Sequence, residues 1–88
     1  MPYNVELSPR AERELDRLPR SDVQRIARAL ADLGSDPRPR GVRKLKNTGA
    51  PVWRLRVGDY RALYSIADKA RLVVVLGVRR RSGDTYDL

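Results

Sequence analysis

Arg54, Arg56 and Arg61 fall within eight positions of the stretch VWRLRVGDYRALY, residues 52–64. A guanidinium group is a planar fork that donates hydrogen bonds in pairs to phosphate oxygens, so clustered arginines suit a phosphodiester. The chain has no histidine and no cysteine, which removes the usual neutral-pH acid/base, thiolate chemistry and the commonest metal ligands. Arginine stays protonated at physiological pH and is a poor general base. It can instead neutralise charge as a phosphodiester passes to a pentacoordinate transition state, often the largest catalytic contribution. Proton transfer would then fall to tyrosine, lysine or a carboxylate. In the tail RRRSGDTYDL, Tyr86 follows the run Arg79, Arg80 and Arg81. Its hydroxyl could donate to a leaving oxygen, or its ring could stack on a base. No metal or cofactor is expected.

The elements that must position these groups can be read from the pattern. From Val52 the period becomes two, with Trp53, Leu55 and Val57 on one face and Arg54 and Arg56 on the other. Gly58-Asp59 suits a two-residue hairpin loop, because glycine tolerates positive φ at the first position. Closure there pairs Arg56 with Arg61 and Trp53 with Tyr64. Like charges placed opposite each other cost up to about 1 kcal/mol, a cost that an anion over the face would reverse. The plain alternative is a solvated outer face whose arginines splay into water. A further strand at 71–78, RLVVVLGV, is apolar nearly throughout. Arg79 joins the arginine face only if the loop near Asp68 has an odd number of residues.

Upstream, Tyr3, Val5 and Leu7 alternate with Asn4 and Glu6 as a short strand. Ser8-Pro9 gives an N-cap and a first-turn proline for a helix over 9–18, stopped by Pro19. Ser21 and Gln24 form a capping box. Behind it Val23, Ile26, Ala27, Leu30 and Leu33 make an apolar stripe that ends at Gly34, the position of a C-cap glycine. The polar faces of both helices, with Arg10, Glu14, Arg17, Arg25 and Asp32, read as solvated surface. After the connector GSDPRPRG come Lys44 and Lys46, flanking Leu45, and then the turn signal Asn47-Thr48-Gly49. The expected architecture is a single α+β domain over 1–88, β-α-α-β-β-β, with a helical hairpin on one face of a small antiparallel sheet.

The charge is uneven. Residues 1–41 hold eight arginines against seven acids, whereas residues 42–88 hold eleven Lys and Arg against four Asp, within a total net charge of +8. Such a bias points to a polyanion, either nucleic acid or an acidic protein. No signal-peptide layout or membrane-length apolar run occurs, so a cytoplasmic address and no membrane partner are expected.

The segments RKLKN, VWRLRVGDYRALYSIAD and VVVLGVRRRSGDTY resemble the RelE/ParE superfamily of toxins from type II toxin–antitoxin pairs. The opening SPRAERELDRLP is similar to that family's start, so the likeness runs nearly the length of the chain. For RelE-like members it implies an mRNA endoribonuclease (an mRNA interferase) acting in the ribosomal A site without a metal. The ribose 2′-hydroxyl would attack the adjacent phosphate, leaving a 2′,3′-cyclic phosphate. The resemblance places Arg54 and Arg56 where the best-known members carry lysines. Arg61, Arg79 and Tyr86 fall on the family's remaining site positions. Arginine at 54 and 56 removes a lysine-type base. Lys44, Lys46, Arg80 and Arg81 would hold flanking RNA. Two alternatives stand beside this one: a ParE-like inhibitor of DNA gyrase, and a basic module that only binds nucleic acid. Either toxin reading implies an antitoxin whose acidic segment folds on binding, in a mixed complex able to bind operator DNA.

Overall fold

The structure, a computed structural model, describes residues 2–46 and 49–80. Seven elements follow in order: β1 (Asn4–Leu7), α1 (Pro9–Asp16), α2 (Arg20–Asp32), β2 (Arg43–Lys44), β3 (Trp53–Val57), β4 (Tyr60–Ala67) and β5 (Leu72–Arg80). They build one five-stranded sheet in the order β1-β5-β4-β3-β2. The later strands are antiparallel neighbours, as expected. β1 instead lies parallel to β5, pairing Asn4 with Leu72 and Leu7 with Val75, so the sheet is mixed. β2 is new relative to the sequence reading. With two residues it has no period to detect, and only its pairing with β3 defines it.

Both helices cover one face. Ala11 and Leu15 of α1, and Ile26 and Leu30 of α2 with Leu33 just after it, close over Val57, Tyr60, Ala62, Tyr64, Val73, Val75 and Val78. Each large side chain so buried contributes about 1.5–3 kcal/mol. The face predicted for the hairpin is therefore the buried one, with Trp53, Leu55 and Ile66 packed at its margin.

Helix starts follow the sequence in one case and not the other. Ser8 caps α1, its Oγ accepting the Ala11 N–H at 3.1 Å, with Pro9 in the first turn. The capping box at Ser21 does not form. Pro19, extended at ψ 147°, takes the N-cap position, and its carbonyl accepts the amides of Asp22 and Val23, which leaves Ser21 inside the first turn. Proline cannot donate an amide, so the helix begins as soon as the chain leaves it. Gly34 is also not a left-handed cap. A Cβ there would lie 2.9 Å from the Tyr3 carbonyl oxygen, and the Tyr3 amide donates to Gly34 O at 2.7 Å. That close approach seats β1 against the end of α2.

At the far end of the sheet, Arg38 grips Asp68 with both Nη atoms, at 3.3 and 2.8 Å. The Tyr3 hydroxyl donates to the same carboxylate at 2.6 Å. The Arg38 guanidinium, and then the Tyr3 hydroxyl, hold the Asp68 carboxyl below its usual range. Arg38 also lies 5.3 Å from the centre of the Trp53 ring. The connector, the first strand and the β4–β5 loop are thereby tied together. No helix among the described residues is long and apolar enough to cross a membrane.

Candidate nucleic-acid interface

The turn at Gly58 sets the geometry of the outer face. Gly58 has φ +58° while Asp59 keeps negative φ, which fits a type II′ hairpin. The register is the predicted one: Arg56 opposite Arg61, Arg54 opposite Leu63, Trp53 opposite Tyr64. A Cβ at Gly58 would fall 2.9 Å from Arg25 Nη2, so the bare glycine lets α2 lean on the hairpin tip.

Arg79 reaches the same face by a route that loop parity did not anticipate. Asp68–Arg71 separates Ala67 from Leu72, a loop of four residues, with Arg71 in the left-handed region at φ 51°. An even loop alone would send Arg79 to the helix side. Between Tyr64↔Val75 and Leu63↔Gly77, however, the register shifts and leaves Leu76 unpaired. This β-bulge inverts the alternation downstream, so that Arg79 pairs with Arg61.

The result is a cross-strand row of Arg56, Arg61 and Arg79 on β3, β4 and β5. Neighbouring Cα atoms in such a row stand about 5 Å apart. A second row beside it runs Arg43, Arg54, Leu63 and Gly77. At the centre of the first row, Arg61 Nε is buried with no hydrogen-bond partner. An unsatisfied buried donor costs about 1–3 kcal/mol, more when charged, and the like charges beside it add to that cost. The arrangement is suited to an anion that accepts from the whole row.

One carboxylate fixes the end of the row. Glu14 of α1 accepts the Val78 amide through Oε1 at 2.8 Å and Arg79 Nε through Oε2 at 3.3 Å. Where β1 ends, α1 covers the open edge of β5, and Ser8 Oγ donates to the bulge carbonyl of Leu76 at 3.1 Å. Glu14 is therefore a structural partner of the row rather than solvated surface. The sequence did carry a signal: Glu14 lies three residues after Ala11 and four before Leu18, inside the apolar stripe.

Other predicted residues do not converge. Arg80 pairs with Tyr60 on the helix-side face, its guanidinium 5.7 Å from the ring centre. The Tyr60 hydroxyl donates to Asp22 at 2.7 Å, and this bond, with burial, raises the phenol's pKa. Lys44 pairs with Trp53 and shares that face, so Arg43, one residue earlier, is the cation beside Arg54. A two-residue strand gives each neighbour the opposite face. Lys46 is exposed beyond β2. Arg81 and Tyr86 lie outside the described residues.

Comparison with known proteins gives a consistent picture. A family model for the ParE toxin of type II toxin–antitoxin systems, parDE, matches residues 5–85. Toxin RelG of Mycobacterium tuberculosis is 36% identical over 87 residues, 98% of each chain. A chain of the archaeal RelE–RelB complex from Pyrococcus horikoshii superposes with a TM-score of 0.81 at 31% identity, covering 97% of this chain and all of that one. The toxin–antitoxin complex RelBE2 of M. tuberculosis gives a TM-score of 0.82 at 33% identity, over 92% of this chain and all of the other.

Proposed function

We propose, for a chain that belongs to the ParE toxin family of type II toxin–antitoxin systems, that it cuts messenger RNA in the ribosomal A site and so arrests translation. The chain is a RelE-like toxin, since the relatives it resembles along nearly its whole length carry RelE-type names. The observation that carries the ribonuclease reading is the row Arg56–Arg61–Arg79 with the buried, unpartnered Arg61 Nε at its middle.

In this reading the ribose 2′-hydroxyl attacks the adjacent phosphorus. The bond to the 5′ oxygen breaks, leaving a 2′,3′-cyclic phosphate and a 5′-hydroxyl. Negative charge accumulates on the non-bridging oxygens, and Arg54, Arg56, Arg61 and Arg79 stabilise it from fixed positions. The attacking hydroxyl loses its proton to solvent water, and the leaving 5′ oxygen takes one from the hydroxyl assigned as acid, that of Tyr86, which solvent then reprotonates. A cognate antitoxin would silence the site by laying an acidic segment over the row or by packing along the helices. On the helix side, Val5, Leu7, Leu15, Ala27, Leu30 and Ala31 line an apolar groove of about 220 Å³.

The test is incubation with translating ribosomes, followed by mapping of mRNA 3′ ends. Cuts inside the A-site codon that bear a cyclic phosphate are expected. Growth arrest without such cuts, together with inhibited gyrase supercoiling, would transfer the protein to the ParE-like activity.

The bulge provides a second check. Leu76 is the surplus residue, so its deletion should keep Arg79 opposite Arg61 and retain cleavage. One alanine inserted between Val78 and Arg79 should turn Arg79 toward the Tyr60 face. Cleavage should then fall as far as in Arg79→Ala, on the order of 10²-fold. Equal activity in the insertion variant would mean that the register of β5 does not matter.

A further inference from the structure

Arg10, Arg13 and Arg17 share one side of α1 with Glu14, at spacings of three, four and seven residues, and the four line a groove of about 350 Å³. Arg10 Nε lies 3.5 Å from Glu14 Oε2, the same oxygen that Arg79 Nε approaches at 3.3 Å. One carboxylate oxygen thus joins the last arginine of the sheet row to the first arginine of the helix. Arg13 and Arg17 form no ion pair among the described residues, although Glu12 and Asp16 are close in sequence. As an i,i+4 pair of like charges they cost helix stability. This repeats on α1 the unfavourable arrangement seen on the sheet.

We propose that this groove is a second phosphate-binding surface, and that a single RNA strand crossing the arginine row continues over the β5 edge and along α1. The proposal rests on the phosphodiester reading of the row and extends it by about 10 Å, the rise of the helix from Arg10 to Arg17. Charge complementarity and the shared Glu14 oxygen favour one continuous strand over two separate ligands. Glu14 itself repels phosphate, so the strand must bend around it, with backbone charges on either side.

Binding of oligouridylate to the full-length protein, followed by fluorescence anisotropy across a salt series, tests this. Each phosphate contact on a single strand contributes a slope of about 0.7 in log K against log salt. The double variant Arg13→Ala/Arg17→Ala should lower the slope for a 20-mer by about 1.4 and leave a four-nucleotide probe unchanged. Arg61→Ala should weaken both probes. Arg13→Lys/Arg17→Lys should keep the wild-type slope, which separates charge from helix packing. If Arg61→Ala alone changes 20-mer binding, the groove is no RNA surface and the row reading survives. If neither variant changes it, both readings fail. If the double variant loses poly-glutamate binding but keeps the 20-mer slope, the groove serves an acidic protein and the proposal is overturned.

Discussion

Arg61→Ala should reduce RNA cleavage by about 10²–10³-fold, the loss that follows removal of one preorganised donor to a developing oxyanion. Arg61 is the only member of the row flanked by arginines on both sides, Arg56 on β3 and Arg79 on β5. Its Nε is already buried and unpartnered, so the ligand-free protein gains little from the group. Removing it relieves two like-charge contacts and one unsatisfied donor. The variant should therefore melt at the same temperature as the parent or higher, the usual relation between a strained site and the stability of its scaffold. Arg61→Lys keeps the charge but loses the fork and should fall between parent and alanine. Single-turnover cleavage on programmed ribosomes, paired with thermal melts, measures both quantities. A folded Arg61→Ala protein that still cleaves and still arrests growth would remove the row from the mechanism.

Tyr64→Ala should destabilise the fold by about 3–5 kcal/mol, the range for deleting a large buried side chain. A chain of 88 residues has roughly 4–13 kcal/mol in total, so this one change can unfold most of the population at 37 °C. Tyr64 has no exposed surface and sits on β4 opposite Val75, beside the bulge. Its hydroxyl donates to the Pro37 carbonyl at 2.7 Å, pinning the connector after α2 to the middle of the sheet. Burial pushes its phenol up to about 12. Tyr64→Phe keeps the ring and leaves the Pro37 oxygen without this donor, a loss of about 1–3 kcal/mol. Urea unfolding of the three proteins gives the two steps separately. Equal losses in Phe and Ala would assign the whole effect to the hydroxyl and contradict ring packing as the main contribution.

Local rules reached far in this chain where one element set its own geometry. The β3–β4 hairpin was legible to the residue, because a period of two and one glycine define both faces and the register. Ser8 was legible as a cap for the same reason. Arg79 was not, since its face depends on a bulge at Leu76, fifteen residues after the Arg61 it meets, and nothing in VVVLGV marks Leu76 as surplus. Parity counting assumes an unbroken ladder. The edge role of Glu14 and the parallel docking of β1 depend on partners more than sixty positions away, and the second strand, two residues long, offers no period to detect. Ser21 failed for a different cause: Pro19 started the helix two residues before the capping signal.

The union of β1 with β5 has a kinetic corollary. Asn4 and Leu72 are partners across 68 positions, and closing a loop of that length costs about 3–4 kcal/mol of chain entropy beyond a constant. During synthesis the first strand must wait, its edge unmatched, until nearly all the described elements have left the ribosome. Arg79 emerges later still. The cationic row therefore comes together only once Arg79 has been added, and until then Arg56 and Arg61 stand on the hairpin without their third member.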